Sequence, residues 1–287
     1  MRIAMNTYKP LVLEVTMVVL LGDIVVLVKA SLNPEIVRQN PDGTFDIDYT
    51  PLKISDIDRN ALEEAARLKG ILGGKVYSIT VLTWGPLKAR EKDLRLTVQE
   101  ALAKVADEAF VVADESITPG DYSVTANVIA SVIKSRGLKP TLILAGEASI
   151  DESTYQIPGR VAAKLGLPYV GYVRRIREVR GDRIIVERDL EDYIEVLEVP
   201  LPAVLSVTQE INEPRPPTLI QIRMASRKPV HFMTLKDLGL GVKPQRRIAE
   251  MRVVTISRKQ VLIEEGDMEK AALKLVELLE KEGVLRF

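Results

Sequence analysis

One stretch of the sequence, Thr141 to Arg160, carries the residue types that bind phosphate groups. It begins with an apolar run, Leu142 to Ala145, which predicts a buried strand. Gly146 ends that strand and opens a loop rich in hydroxyl and carboxylate side chains, and the residues from Thr154 to Lys164 predict a helix. At such a junction the backbone N–H groups of the loop and the dipole of the helix favour an anion. We interpret the stretch as a candidate phosphate site, with an ordinary strand-to-helix connection as the alternative.

The composition excludes several other kinds of site. The sequence has no G-x-G-x-x-G and no G-K-[ST], so neither the dinucleotide fingerprint nor the P-loop applies. It has no cysteine and a single histidine, His231, which excludes thiolate chemistry and His-rich metal sites. We expect His231 to be a packing residue. No catalytic side chain and no metal ligand is predicted, so any chemistry belongs to a bound cofactor.

Charge and hydropathy argue against nucleic acid and membranes as binding partners of this chain. Lys and Arg together number 40, as do Asp and Glu, so the net charge is zero and does not favour nucleic acid or an acidic membrane surface. The apolar run from Leu11 to Val28 is interrupted by Glu14 and Asp23, which argues against a membrane span. We therefore expect a cytoplasmic protein with no direct membrane insertion, in which residues 1–22 are an extension before the fold.

Apolar strands alternate with helices through the first two thirds of the chain. This order predicts an α/β fold with a doubly wound, mostly parallel, Rossmann-like sheet. In such sheets ligands bind beyond the carboxyl ends of the strands, so the loops after Lys29, Leu82 and Ala145 should converge on one ligand. The predicted strands are Asp23–Lys29, Lys75–Leu82, Ala109–Ala113 and Leu142–Ala145, and the predicted helices are Ala61–Gly70, with an Asn60–Glu63 capping box, Glu91–Val105 and Val124–Lys134.

The pattern changes after Leu167. Gly181-Asp182 predicts a hairpin, and the strands that follow it predict an antiparallel extension of the sheet. Residues 228–262 show no strong period, and after Asp267 an amphipathic helix is predicted. We predict a nucleotide-binding domain over residues 23–227 and a C-terminal arm and helix over 228–287. The apolar stripe of that helix either docks on a partner subunit or packs on its own chain.

The order of these motifs resembles the beta subunit of electron transfer flavoproteins. The resemblance runs from about Asp23 to the C-terminus. It rests on VLVK at Val26–Lys29, ALEEAARLKG at Ala61–Gly70, GGKVYSITVLTWGP at Gly73–Pro86, LILAGEASIDESTYQ at Leu142–Gln156, PLPAVLSVTQEINEPR at Pro200–Arg215 and GDMEKAALKLVELLEKEGV at Gly266–Val284.

The resemblance implies a heterodimer with an alpha subunit, which carries FAD in this family. The beta subunit of the family binds AMP or, in electron-bifurcating members, a second FAD, with NADH as a substrate of the complex. A partner dehydrogenase or a quinone oxidoreductase is implied as redox partner, and by position Leu219 should contact it. The implied cofactor contacts are Leu27, Ser55, Asp56, Ile57, Asp58, Trp84, Gly146, Glu147, Ala148, Ser149, Ile150, Asp151, Glu152, Ser153, Thr154, Tyr155, Gln156 and Ile157.

Departures from the family bear on which nucleotide is bound. Trp84 replaces a small or sulfur-containing residue, and Glu147 brings a carboxylate near the expected pyrophosphate. AMP-binding members tend to end the loop with Asn-Gln-Thr, whereas bifurcating members tend to show Asp-Thr-x-Gln-Val. The segment Ser153 to Ile157 preserves the Thr, the Gln and the β-branched apolar residue of the second pattern, so we favour FAD over AMP.

Two alternatives come from other classes of protein. One is a stand-alone adenine-nucleotide sensor of the universal-stress type, which would leave the C-terminal arm unexplained. The other is a structural subunit whose nucleotide pocket has decayed, which Trp84 and Glu147 would favour. The colour of the purified protein and the nucleotide that it releases separate the three interpretations.

Overall fold

The computed structural model describes residues 22–246, 248–254 and 258–285 of the chain. The predicted extension over residues 1–22 therefore lies outside the described residues, apart from Gly22. The chain forms two compact units, one up to Met251 and one from Arg252 onward.

The first unit is built on one mixed sheet of nine strands. Its order is β11-β5-β4-β1-β6-β10-β7-β8-β9, and all pairings from β11 to β7 are parallel. This confirms the predicted α/β fold with a doubly wound, mostly parallel sheet. The strands are β1 Gly22–Leu27, β2 Ala30–Leu32, β3 Leu52–Ile54, β4 Gly73–Leu82, β5 Glu108–Ala113, β6 Pro140–Gly146, β7 Tyr169–Arg180, β8 Arg183–Asp189, β9 Ile194–Pro200, β10 Ala203–Val207 and β11 Val230–Met233.

Helices cover both faces of the parallel region. Apolar side chains of α1 and α2 join one buried cluster, and those of α3 and α4 join the cluster on the opposite face. Because both faces are covered, the central strands are buried throughout and read in sequence as continuous apolar runs. The helices are α1 Asp56–Leu72, α2 Leu87–Lys104, α3 Tyr122–Ser135, α4 Ile157–Leu165, α5 Leu219–Ala225 and α6 Met268–Lys281.

The predicted hairpin and antiparallel extension are confirmed. Strands β7 and β8 pair antiparallel through the turn at Gly181, and β9 pairs antiparallel with β8 at the edge of the sheet. Strand β10 lies between β6 and β7 and runs parallel to both. The chain therefore leaves the parallel region at β7 and returns to it at β10.

The structure contains two features that local periodicity does not reveal. Strand β11 lies in the segment without strong period and pairs parallel with β5, where His231 stacks on Phe110 with ring centroids 4.9 Å apart. Strands β2 and β3 form a small antiparallel pair between β1 and α1. Both pairings join short segments that are distant in sequence, and short strands carry little periodic signal.

The second unit contains the amphipathic helix. Asp267 caps α6 by accepting a hydrogen bond from the backbone N–H of Glu269. No residue of α6 is buried, and Met268 and Leu275 are exposed. The predicted boundary between domain and arm at residue 228 stays a prediction. Among the helices in the described part of the chain, none has the length and apolar character needed to cross a bilayer.

Candidate functional site

A cavity lies where the sheet reverses its winding direction. From β1 the chain winds to β4 and β5 on one side and then crosses to β6 on the other, so β1 and β6 flank the switch point. The cavity opens at the carboxyl ends of these strands, where open α/β sheets bind ligands. It contains about 720 Å³ of empty space, counting its open mouth. We call it the strand-end cavity.

Four loops and the start of α4 line this cavity. The loops follow β1, β4, β5 and β6, and they include the three that the sequence predicted to converge, after β1, β4 and β6. The lining residues are Leu27, Val28, Lys29, Asp58, Ile79, Val81, Thr83, Gly120, Tyr122, Thr125, Ile129, Ala145, Gly146, Glu147, Ala148, Ser149, Glu152, Thr154, Tyr155, Gln156, Ile157 and Pro158.

The buried carboxylate of Asp58 joins the ends of β1 and β6. Its Oδ2 accepts a hydrogen bond from the backbone N–H of Lys29 at 2.8 Å, and its Oδ1 accepts one from Gly146 at 3.1 Å. Gly146 is required for this contact, because a Cβ there would lie 2.7 Å from Asp58 Oδ1. Burial raises the pKa of Asp58 to about 7, against the opposing effects of the two N–H groups and the Lys29 charge.

The ammonium group of Lys29 is held by two carboxylates of the loop after β6. Its Nζ lies 2.8 Å from Asp151 Oδ1 and also contacts Glu152. Asp151 Oδ2 accepts hydrogen bonds from the Trp84 indole at 2.7 Å and from the Leu32 backbone at 3.0 Å. Burial raises the pKa of Asp151, but the charge of Lys29 and the hydrogen bonds from Lys29, Ser149 and Trp84 outweigh it, so that the pKa lies below its usual value.

Glu152 connects the same loop to the loop before α3. Its Oε1 accepts a hydrogen bond from the backbone N–H of Gly120 at 3.0 Å and lies 3.4 Å from the Tyr122 hydroxyl. The acidic side chains of the loop therefore bind donors from three other loops. The cationic group of Lys29 is neutralised by this arrangement, which leaves the polar wall of the cavity with no excess of positive charge from that residue.

The loop reaches α4 through two residues with left-handed backbone. Ser153 has φ 46° and Tyr155 has φ 58°, a region that residues with a side chain rarely adopt. Helix α4 begins at Ile157 without a side-chain cap, because the side-chain oxygen Oε1 of Gln156 accepts hydrogen bonds from the Arg160 guanidinium instead. The first turn of the helix therefore keeps free backbone N–H groups next to the cavity, except at Pro158.

Comparisons with known proteins decide the family. The model of the electron transfer flavoprotein domain matches residues 42–238. The "Electron transfer flavoprotein subunit beta" of Thermoanaerobacterium thermosaccharolyticum is 34% identical over 272 residues, which cover 92% of this chain and all of the relative.

The chain belongs to the electron transfer flavoprotein beta subunit family. This confirms the resemblance that the motifs predicted from Asp23 onward. The family is one of electron transport flavoproteins.

The structure brings eleven of the predicted cofactor contacts of this beta subunit into the cavity lining. They are Leu27, Asp58, Gly146, Glu147, Ala148, Ser149, Glu152, Thr154, Tyr155, Gln156 and Ile157. Outside the lining lie Ser55, Asp56, Ile57, Trp84, Ile150, Asp151 and Ser153. Their contact with a nucleotide stays a prediction.

Several of the residues outside the lining have structural partners. Trp84 is buried and supports Asp151, and Asp56 forms ion pairs with Lys53 and Arg59 on the surface. Glu147 lines the cavity, and burial together with nearby Glu210 raises its pKa above the usual value.

The resemblance did not point to several lining residues of this beta subunit, among them Lys29, Gly120 and Tyr122. Lys29 ends the motif VLVK, and its position directly after β1 could have identified it. Gly120 and Tyr122 belong to the loop before α3, where Pro119 and Gly120 are a turn signal. Among the described residues, no group of three or more His, Cys, Asp or Glu side chains is arranged to hold a metal ion.

A second candidate surface surrounds Leu219, which is 85% exposed at the first position of α5. Thr218 and Gln221 form a capping box that fixes the start of this helix. The preceding loop is anchored to α1, because Glu63 accepts hydrogen bonds from the Arg215 guanidinium and binds Lys104. The exposed leucine is thus presented from a rigid support.

The Asn60–Glu63 capping box predicted from the sequence is wrong. Helix α1 begins at Asp56, so both residues lie inside it. Asn60 Nδ2 instead donates to the backbone carbonyl of Asn212 at 2.7 Å, and Glu63 binds Arg215. Local spacing could not distinguish a cap from a contact with a segment about 150 residues later.

We expect the titration of Asp58 to make the fold less stable as pH rises. The folded protein holds its proton up to about pH 7, whereas the unfolded chain releases it near 3.8, so raising the pH between these values favours unfolding. The loss should be on the order of a few kcal/mol. Urea unfolding measures the free energy of unfolding of the wild type and of Asp58→Asn. The difference between the two free energies should change across this pH range. A difference that is constant with pH would contradict the shift.

Proposed function

We propose that the strand-end cavity binds the nucleotide of an electron transfer flavoprotein beta subunit, and that this nucleotide is FAD rather than AMP. The observation that carries the proposal is the position of the cavity. It lies at the switch point of the sheet, and eleven residues that the family resemblance implies as cofactor contacts line it. The overlap between the cavity lining and the implied cofactor contacts does not depend on the geometry of any single contact.

The lining suits a nucleotide phosphate through dipoles more than through charge. Free N–H groups at the start of α4 and the hydroxyls of Thr154, Ser149 and Thr83 are among the donors of the lining. Lys29 contributes less than its charge suggests, because Asp151 and Glu152 already pair with it. A phosphate diester with one charge per phosphate fits such a site better than a terminal phosphate with two.

The end of the loop also favours a ligand that continues past its first phosphate. Ile157 lines the cavity at the first position of α4 and offers an apolar side chain where AMP-binding members tend to have a hydroxyl. Pro158 removes one backbone donor from the same turn. A terminal phosphate would find fewer hydrogen-bond donors here than a hydroxyl at residue 157 would provide, whereas the extended pyrophosphate of FAD does not need to end at this point.

The proposed role is electron transfer in a heterodimer with an alpha subunit. When bound, a flavin supplies the capacity to accept and release electrons, and the residues of this chain bind and orient it. The electrons would come from NADH or a dehydrogenase and pass to a quinone- or ferredoxin-linked acceptor. Electron bifurcation from NADH follows as a hypothesis, because it needs a second flavin.

The nucleotide content of the purified heterodimer tests the proposal. We expect denaturation to release two FAD per heterodimer and no AMP, because the alpha subunit carries one FAD and this cavity would carry the other. Quantification by chromatography and flavin absorbance measures both. Equal amounts of FAD and AMP would contradict FAD in this cavity.

The same measurement separates the two alternatives. A colourless chain that binds an adenine nucleotide without any partner would support the sensor of the universal-stress type. A heterodimer that carries only the nucleotide of its alpha subunit would support a decayed pocket in this chain.

We further propose that the C-terminal segment docks on the alpha subunit. Deleting residues 265–287 should abolish the heterodimer in size-exclusion chromatography, because this removes α6 and its exposed apolar residues. Leu275→Asp should weaken the heterodimer by placing a charge on the apolar stripe. Lys274→Ala, on the polar face of the same helix, is the matched control. A truncated chain that still forms a stable heterodimer would refute the docking role.

Leu219 is proposed to contact the redox partner. Leu219→Ala should slow electron transfer to the partner by roughly fivefold, which corresponds to a contribution of about 1 kcal/mol to the interface. Flavin content should stay unchanged. Ile71→Ala, an exposed aliphatic residue at the end of α1, is the control. Loss of flavin, or an unchanged transfer rate, would argue against this role.

A further inference from the structure

Two tyrosines stand together beside the strand-end cavity. Tyr155 belongs to the loop before α4 and lines the cavity, and Tyr172 belongs to β7. Their ring centroids are 6.0 Å apart with an angle of 31° between the ring planes. That separation is within the range of direct aromatic contact. Although they touch each other, the side chains remain 47% and 43% exposed.

Both tyrosines have a backbone conformation that is unfavourable for their residue type. Each has φ 58°, in the left-handed region that glycine and asparagine adopt most readily. A bulky residue in this region is an outlier, and such outliers concentrate at functional sites. Here two such tyrosines are also in ring contact, which indicates that the placement of their rings is favoured despite the cost in backbone energy.

A β-bulge directs Tyr172 toward this contact. Leu205 of β10 pairs with Val170 and Val207 pairs with Val173, so one residue of β10 faces two residues of β7. The extra residue lies at Gly171 or Tyr172, and a bulge of this kind re-aims a side chain. Gly171 permits it, because a Cβ at that position would lie 2.8 Å from the hydroxyl oxygen of Tyr169.

We propose that Tyr155 and Tyr172 form an aromatic subsite that holds a planar ring of the bound nucleotide by stacking. Tyr155 lines the cavity, and Tyr172 of β7 contacts its ring. The subsite would accept a heteroaromatic ring, which could be the adenine or the isoalloxazine of the ligand. This inference rests on the proposed nucleotide site and assigns to it a contact that depends on neither charge nor phosphate.

Glycine substitution separates ring contact from folding at Tyr155. Tyr155→Gly removes the ring and at the same time relieves the left-handed backbone, so its melting temperature should be unchanged or higher. Stacking of one base on an aromatic side chain corresponds to a roughly five- to 150-fold change in affinity. We expect Tyr155→Gly to weaken binding by a factor in this range, whereas Tyr155→Phe should bind within about threefold of the wild type.

The experiment uses the full heterodimer after dialysis has removed its bound nucleotides. AMP and FMN are titrated separately by calorimetry, which identifies whether the adenine or the isoalloxazine ring occupies the subsite. The alpha subunit is the same in every sample, so differences between variants report this cavity. Tyr172→Ala and Tyr172→Phe test the supporting ring, and Tyr193→Ala is the control for loss of an exposed tyrosine elsewhere.

The possible results distinguish this subsite from the nucleotide site itself. Weaker binding of one ligand to Tyr155→Gly, with affinity retained in Tyr155→Phe, would support stacking. Equal affinity of the wild type and Tyr155→Gly for both ligands would overturn the subsite and leave the nucleotide site standing. A wild-type heterodimer whose binding of AMP and FMN is fully accounted for by its alpha subunit would overturn both.

Discussion

The strand-end cavity depends on the buried carboxylate of Asp58. The two strands that flank the switch point, β1 and β6, end with backbone N–H groups at Lys29 and Gly146, and a separate oxygen of Asp58 accepts each. Without this acceptor both N–H groups would be left unpaired in a buried environment, which is costly. Asp58 lies in the first turn of α1, so the same contact fixes that helix against the sheet edge. The carboxylate thus positions both walls from which the cavity is built.

Outside this contact, acidic residues hold the loop after β6 in place. Asp151 and Glu152 accept hydrogen bonds from groups in the loops after β1, β4 and β5, so one loop connects three others. The arrangement also neutralises Lys29, because its ammonium group is paired with both carboxylates. The cavity therefore offers oriented dipoles and hydroxyls rather than an excess of cations, which distinguishes it from a P-loop site, where a lysine reaches the phosphates.

Much of the fold could be predicted because its strands are buried on both faces and its helices lie between them. Local sequence alone predicts the strands β1, β4, β5 and β6 from their apolar runs, and it predicts the hairpin from the turn at Gly181. Strand β11 could not be found in this way, because four residues that pair with a distant strand have no period of their own.

Part of the lining of the strand-end cavity could be predicted for the same reason. The loop after β6 was found because it follows a clear strand, and Asp58 was found by position in the family motif. The roles of Asn60, Glu63 and Trp84 were not predictable, because each binds a residue at least 60 positions away in the chain. A spacing rule describes neighbours along one element, and these contacts are set by how elements pack.

The strand-end cavity combines little net positive charge with a strained backbone at two tyrosines. A site with little net positive charge gains little from Coulomb attraction to phosphate, so a nucleotide bound there must gain affinity from other contacts. Flat aromatic surface is one such contact, and it does not weaken with salt as charge interactions do. The left-handed backbone at Tyr155 and Tyr172 is a local cost that the rest of the sheet sustains. On the proposed function, ring stacking on the two tyrosines supplies the affinity for a nucleotide that the neutralised Lys29 does not supply through its charge.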